Sequence, residues 1–182
     1  DGQPRRADVT QHDGGSVASS IYTAGKANRI NPLVILTRVQ LEQGLVSATT
    51  ATQKRLDFAF GCGCPDNKPC SEKWRGFGKQ VDCMASKMRS YLDDIDAGGT
   101  TIAGWKPGKT KKTLDGYSIT PKNRATAAMY TYTPWVYSAS DHHRILKRFA
   151  KFIGYQGGEV KGSGGCGTLS FPSVATVGLS PA

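Results

Sequence analysis

Glu42 is the side chain best placed for acid–base chemistry. It stands near the C-terminal end of the run PLVILTRVQLEQ, just before Gly44. A carboxyl group there faces the negative end of a helix dipole and has Val39 and Leu45 as apolar neighbours. Both influences disfavour the charged form and raise its pKa, which suits a proton donor working near neutral pH. The alternative is an exposed glutamate near a helix end, or one paired with Arg38 a turn earlier. The second group with chemical potential is Cys62, Cys64, Cys70 and Cys83, in and after the turn-rich GCGCPDNKPC. Structural zinc sites draw their ligands from C-x2-4-C pairs, and C-x-C suits them poorly. Two disulfides stapling a long loop are expected, in an oxidising compartment, with all three pairings open. Cys166 is left over, either free or paired with another chain. His142 and His143 have no Cys or Glu at ligand spacing and read as surface histidines, so neither a metal nor a cofactor is expected.

The elements that must position these groups are mainly helical. Val17, Ile21 and Ala24 give a first helix from Ser16. Asn31 as N-cap and Pro32 at the first helical position open the second, whose apolar residues surround most of its circumference, so it is central and buried. A short helix within 50–60 precedes the cysteine loop. Val81, Met84, Ala85, Met88, Leu92 and Ile95 then keep helical spacing up to Gly98 and Gly99. Residues 100–119, with the Asp115-Gly116 turn, predict an irregular flap or short hairpin. Thr120-Pro121 predicts another helical start, and a last helix runs from Ser140 to Gly154. Three segments result: a tail over 1–14, one domain over 15–155, and a Gly/Ser-rich tail over 156–182.

The chain's 182 residues, 38% of them hydrophobic, can bury a real core, and no run is long and apolar enough to span a membrane. The polar opening DGQPRRADVTQHDGG has no leader-like apolar stretch and reads as the start of a trimmed, mature form, with a cytosolic chain as the alternative. The net charge of +10 favours a polyanionic partner, or else is a solvated basic surface. Its basic residues are spread through RR, KR, KTKK and RILKRFAK rather than gathered in a nucleic-acid motif, so nucleic acid is not the expected partner.

Three segments in order carry a resemblance: QLEQGLVS around Glu42, GFGKQVD over 76–82, and AAMYTYTPWV around Tyr130. Together they resemble the motifs of the goose-type lysozyme and soluble lytic transglycosylase superfamily over about residues 30–150. The family form of the second motif is one residue longer, with an apolar residue where Lys79 stands, and the glycines after its tyrosine are here Thr131, Tyr132 and Pro134. The resemblance implies a lysozyme-like domain that cuts the β-1,4 bond between N-acetylmuramic acid and N-acetylglucosamine. It makes Glu42 the general acid, with Gln80 holding the saccharide through its amide and Tyr130 hydrogen-bonding near the acid. Asp82 matches the residue that positions water, with Asp57 as a substitute; an Asp just inside a helix N-terminus is equally a dipole partner. Tyr132, Trp135, Trp74 and Trp105 are candidate platforms for sugar rings, and Lys106, Lys109, Lys111 and Lys112 candidate contacts to acidic wall polymer. The protein so implied is a secreted or periplasmic monomer acting on peptidoglycan. The alternatives are a lytic transglycosylase, a chitin-cleaving enzyme on the same scaffold, and a non-catalytic wall-binding module.

Overall fold

A computed structural model describes residues 15–136, with the backbone of the two-residue strands β1 (Gln11–His12), β5 (Tyr155–Gln156) and β6 (Glu159–Val160). The sequence-predicted helix over 140–154, the His142-His143 pair and Cys166 lie outside the described residues. The chain divides into two compact units, Asp1–Arg89 and Ser90–Ala182. β1 pairs antiparallel with β2 (Gly15–Ser16), and β5 pairs antiparallel with β6 where the C-terminal tail was expected to begin.

In the first unit, α1 (Val17–Asn28) and α2 (Pro32–Gln43) form a tight helical hairpin. Gly25 makes the close turn possible: the Ile30 N–H bonds back to its carbonyl at 2.9 Å, and a Cβ there would sit 2.8 Å from the Ile30 carbonyl oxygen and 2.9 Å from Pro32 Cγ. The Asn31 side chain accepts from the Leu33 N–H at 2.9 Å, the N-cap expected ahead of Pro32. Gly44, at φ 64°, closes α2 in the left-handed conformation. Ile35 and Val39 are buried, but so are the polar Thr37, Arg38 and Gln40, so α2 is central without being uniformly apolar.

The short α3 (Gln53–Asp57) leads into the cysteine loop. Two disulfides hold this loop, Cys62–Cys83 and Cys64–Cys70, and together they use the four clustered cysteines. The first ties the loop's start to α4 (Phe77–Asp96), and the second closes a short turn between cysteines six positions apart. Trp74 lies against Gly63, where an added Cβ would fall 2.5 Å from Trp74 Cδ1. Of the stripe that the spacing predicts, Val81, Met84, Ala85 and Met88 are buried in α4 together with Phe77 at its start, whereas Leu92 and Ile95 are only half-buried; Gly98 stands just past the helix end.

In the second unit, β3 (Lys111–Lys112) and β4 (Ser118–Ile119) form the expected hairpin in the register Lys111↔Ile119, Lys112↔Ser118. Its turn is built by Thr113 and Asp115: the Thr113 hydroxyl donates to the Asp115 carboxylate at 2.6 Å and accepts from the Tyr117 N–H at 3.0 Å. The last described helix, α5, spans Arg124–Tyr132 and starts later than Thr120-Pro121 suggests. Pro121 is buried and its carbonyl accepts from the Gly108 N–H at 2.8 Å, so it anchors the preceding loop. Asn123 is the true cap, accepting from the Thr126 N–H at 3.0 Å.

The loop glycines give a paired test. Gly61 and Gly63 both have positive φ, but only Gly63 faces a side chain across a gap too small for a methyl group. Gly61→Ala should cost about 1 kcal/mol from backbone strain alone, and Gly63→Ala clearly more. Urea-unfolding midpoints of the two variants check the order.

Candidate active site

Glu42 is fixed from both sides of the α2 terminus. Before it, Arg38 donates to its carboxylate one turn away along the helix. After it, the Arg55 guanidinium donates to the Gln43 carbonyl. Buried Gln40 holds the following turn, donating to Ser47 Oγ at 2.8 Å and accepting from the Ser47 N–H at 3.0 Å. The carboxylate therefore stands at an ordered helix end. Its setting differs from the apolar one expected: the Glu42 side chain is 32% exposed, whereas that of its partner Arg38 is 5% exposed. Arg38 alone would be a buried charge, which is costly unless paired. Glu42 supplies the pairing charge.

Gln80 is the largest departure from the resemblance. Its side chain is fully buried, and every hydrogen-bonding position of its amide is used within the protein. Oε1 accepts from the N–H groups of Phe60 at 3.2 Å and Cys62 at 3.0 Å; Nε2 donates to the carbonyls of Cys62 at 2.8 Å and Trp74 at 2.7 Å. A terminal amide has two donors and two acceptor positions. Nothing remains for a saccharide, and Gln80 is the internal clamp of the cysteine loop.

Asp57 is likewise committed. One carboxylate oxygen accepts from Gln53 Nε2 at 2.9 Å and the other from Arg75 at 3.0 Å, with the side chain 8% exposed. Its backbone carbonyl also accepts from the Gly76 N–H at 3.0 Å. Arg75 in turn binds Glu72, and that hydrogen bond holds the Glu72 carboxyl below its ordinary range. Asp57 therefore orders the approach to α4 rather than substrate.

Asp82 is exposed on α4, and no hydrogen bond or ion pair engages its carboxylate among the described residues. It is the sixth residue of the helix, beyond the first turn, so dipole pairing at the N-terminus does not explain it. Nor is α4 a close backbone neighbour of α2; the tight helix pair of this unit is α1 with α2. The motif glycine Gly76, at φ 107°, does sit immediately before α4, and its carbonyl accepts from the Gln80 N–H at 3.0 Å.

The aromatic candidates separate by burial. Trp105 is 1% exposed and stacks on Tyr130, with ring centroids 5.2 Å apart, so it is core rather than platform. Thr101 pins it, accepting from the Trp105 N–H at 3.2 Å and from the Thr131 hydroxyl at 2.6 Å. Trp74 is half-buried, with Lys73 5.0 Å from its ring centroid. Tyr132 is half-buried, and Trp135 is 38% exposed. The segment carrying Trp135 is held by the hairpin turn: the Leu114 N–H donates to the Pro134 carbonyl at 2.8 Å, and the Val136 N–H to the Asp115 carboxylate at 2.9 Å. Sequence reasoning missed this function of Asp115, as well as the burial of Arg38. The Thr-x-Asp-Gly order was the available signal for the first.

No protein-family model matches the chain, and no curated protein or solved structure matches it. No group of three or more His, Cys, Asp or Glu side chains among the described residues could hold a metal ion. No helix among them is long and apolar enough to cross a membrane.

Two outcomes follow. Gln80→Leu strands four backbone groups, those of Phe60, Cys62 (twice) and Trp74. At about 1–3 kcal/mol for each unsatisfied group, the loss should be on the order of 4 kcal/mol or more, measured by urea unfolding. Tyr130 supplies a pH test. Burial, aided by the Asp115 charge, pushes its phenol up to about 12, against about 10 in an unfolded chain. Below pH 10 the group contributes nothing to pH dependence. Between about 10 and 12 the unfolded chain has lost the proton that the folded one keeps, so stability falls as pH rises. Tyr130→Phe should therefore lose less stability than the parent between pH 9 and pH 11.

Proposed function

We propose that the chain cleaves the glycan strands of peptidoglycan at the β-1,4 bond between N-acetylmuramic acid and N-acetylglucosamine, with Glu42 as proton donor. The observation that carries this reading is the placement of Glu42: a solvent-reachable carboxyl group on a capped, doubly anchored helix end. The three ordered motifs support it, with the second opening α4 and the third lying on α5.

In its protonated form Glu42 delivers a proton to the glycosidic oxygen as the C–O bond breaks through an oxocarbenium-like transition state. The carboxylate left behind meets the Arg38 guanidinium, and water then restores the proton. The glycosidic oxygen meets the solvent-facing side of the Glu42 carboxyl, and Arg38 keeps the counter-charge that its burial requires. Of the two carboxylates proposed to activate water, Asp57 has both oxygens occupied by Gln53 and Arg75, which leaves exposed Asp82 as the candidate.

A non-catalytic wall-binding module is the second reading. It is favoured by the internal use of Gln80 and by the Arg38–Glu42 pair, each of which has a structural explanation. The chain's export to an oxidising compartment belongs to both readings and is supported by the two disulfides.

Glu42→Gln decides between them. The amide keeps an acceptor for Arg38 but removes its counter-charge, so circular dichroism and the urea midpoint of the variant are measured alongside activity. In the folded variant, release of fragments from purified peptidoglycan should fall by two or more powers of ten, on the usual scale for a general acid. Equal digestion by parent and variant would refute the assignment of Glu42, and a parent that releases nothing would leave the binding module. Mass spectrometry of the products reads the fate of water: muropeptides with an intact reducing end are expected, and anhydro products would replace hydrolysis by transglycosylation while keeping Glu42.

A further inference from the structure

The β3–β4 hairpin carries a charge imbalance that glycan cleavage does not use. Between Gly104 and Arg124 stand Lys106, Lys109, Lys111, Lys112, Lys122 and Arg124 against a single carboxylate, Asp115. Arg124 is paired with Asp96. Asp115 is turned onto the Val136 N–H and the Thr113 hydroxyl. No ion pair among the described residues involves any of the five lysines. Lys111 lies 5.8 Å from the Trp105 ring centroid, held over an aromatic face rather than beside an acid. Lys109, Lys112 and Lys122 are exposed. Like charges gathered in one short segment repel, and an external polyanion relieves that repulsion.

The same segment displays apolar surface. Leu114 is 70% exposed, Tyr117 40% and Trp135 38%, and the Leu114–Pro134 and Asp115–Val136 hydrogen bonds keep Trp135 beside the hairpin turn. Ammonium groups and exposed aromatic faces on one segment suit a polymer that alternates single anionic charges with sugar or polyol units. Lysine is a point charge without the planar fork of arginine, which matches a singly charged phosphodiester. The two disulfides are compatible with an encounter outside the reducing cytosol, where wall polymers are found.

We propose that the β3–β4 hairpin, through Lys109, Lys111, Lys112 and Lys122, binds a phosphodiester-linked polyol or sugar polymer of the cell wall. This holds whether or not Glu42 cleaves glycan.

The test measures binding of the full chain to purified polyglycerol phosphate at 20 and 300 mM salt. The triple variant Lys109→Gln, Lys112→Gln, Lys122→Gln leaves the Lys111–Trp105 contact in place, and the corresponding triple Arg variant restores the charge. Parent binding should weaken as salt rises. The Gln variant should bind at least about tenfold more weakly at 20 mM, with a shallower salt dependence, because fewer counterions are exchanged. The Arg variant should bind as the parent does. Equal binding by the Gln variant and the parent would overturn the proposal, as would a parent that prefers single-stranded DNA of equal charge. Glu42→Gln should bind the polymer as the parent does, so that failure of the binding surface and failure of the catalytic assignment are read separately.

Discussion

The amide of Gln80 has two hydrogens and two acceptor positions, and the first unit uses all four to join segments far apart in sequence. Phe60 and Cys62 lie 20 and 18 residues before it, and Trp74 six before. Cys62 is held twice, through both its N–H and its C=O, and its sulfur is bonded to Cys83 on the same helix. The loop between α3 and α4 has little regular structure of its own, so its buried backbone groups need partners from elsewhere. One side chain meets that need at four points. The disulfide restricts how far the loop can unfold, while the amide selects one conformation among those the disulfide permits.

A second constraint comes from Arg38. Burying a guanidinium in the middle of α2 requires a counter-charge within reach, and helical geometry offers one four residues on, at Glu42. The glutamate therefore has a structural explanation independent of catalysis. Its exposure is what the proposed catalytic role draws on: Arg38 is enclosed and Glu42 is open to solvent, so the pair presents its carboxylate outward. A charge pair with both members enclosed would have no chemistry to offer, and one with both exposed would fix neither side chain.

Much of the architecture was legible because local signals sufficed. Asn31 and Pro32 open α2 and Gly44 closes it; the apolar stripe of α4 and the Asp115-Gly116 turn also reside in neighbouring residues. The cluster of four cysteines implied two bridges, but choosing among three pairings requires the path of the loop, which no spacing contains. Thr120-Pro121 imitates a helix start, and tertiary contacts overrode it: Pro121 was needed inside, and its carbonyl by Gly108. Site residues were harder to read for a related reason. A Gln in GFGKQVD has the same amide whether it faces a sugar or four backbone groups, and only the folded loop decides. Asp57 and Trp105 follow the same rule, each suited by type to a site and drawn by its neighbours into the interior.

The hairpin of the second unit shows how turn chemistry sets surface charge. Asp115 begins as a turn residue, accepting from Thr113 two positions earlier. Because its carboxylate also accepts from the Val136 N–H, it holds the end of the segment that follows α5. Both uses bind the one carboxylate to a hydroxyl and a backbone donor, although Asp115 itself remains exposed. Between Gly104 and Arg124 it stands against five lysines and Arg124, so a single acid cannot neutralise the stretch whichever way it faces. The hairpin's basic character therefore comes from the number of lysines, while Asp115 fixes the turn that displays them.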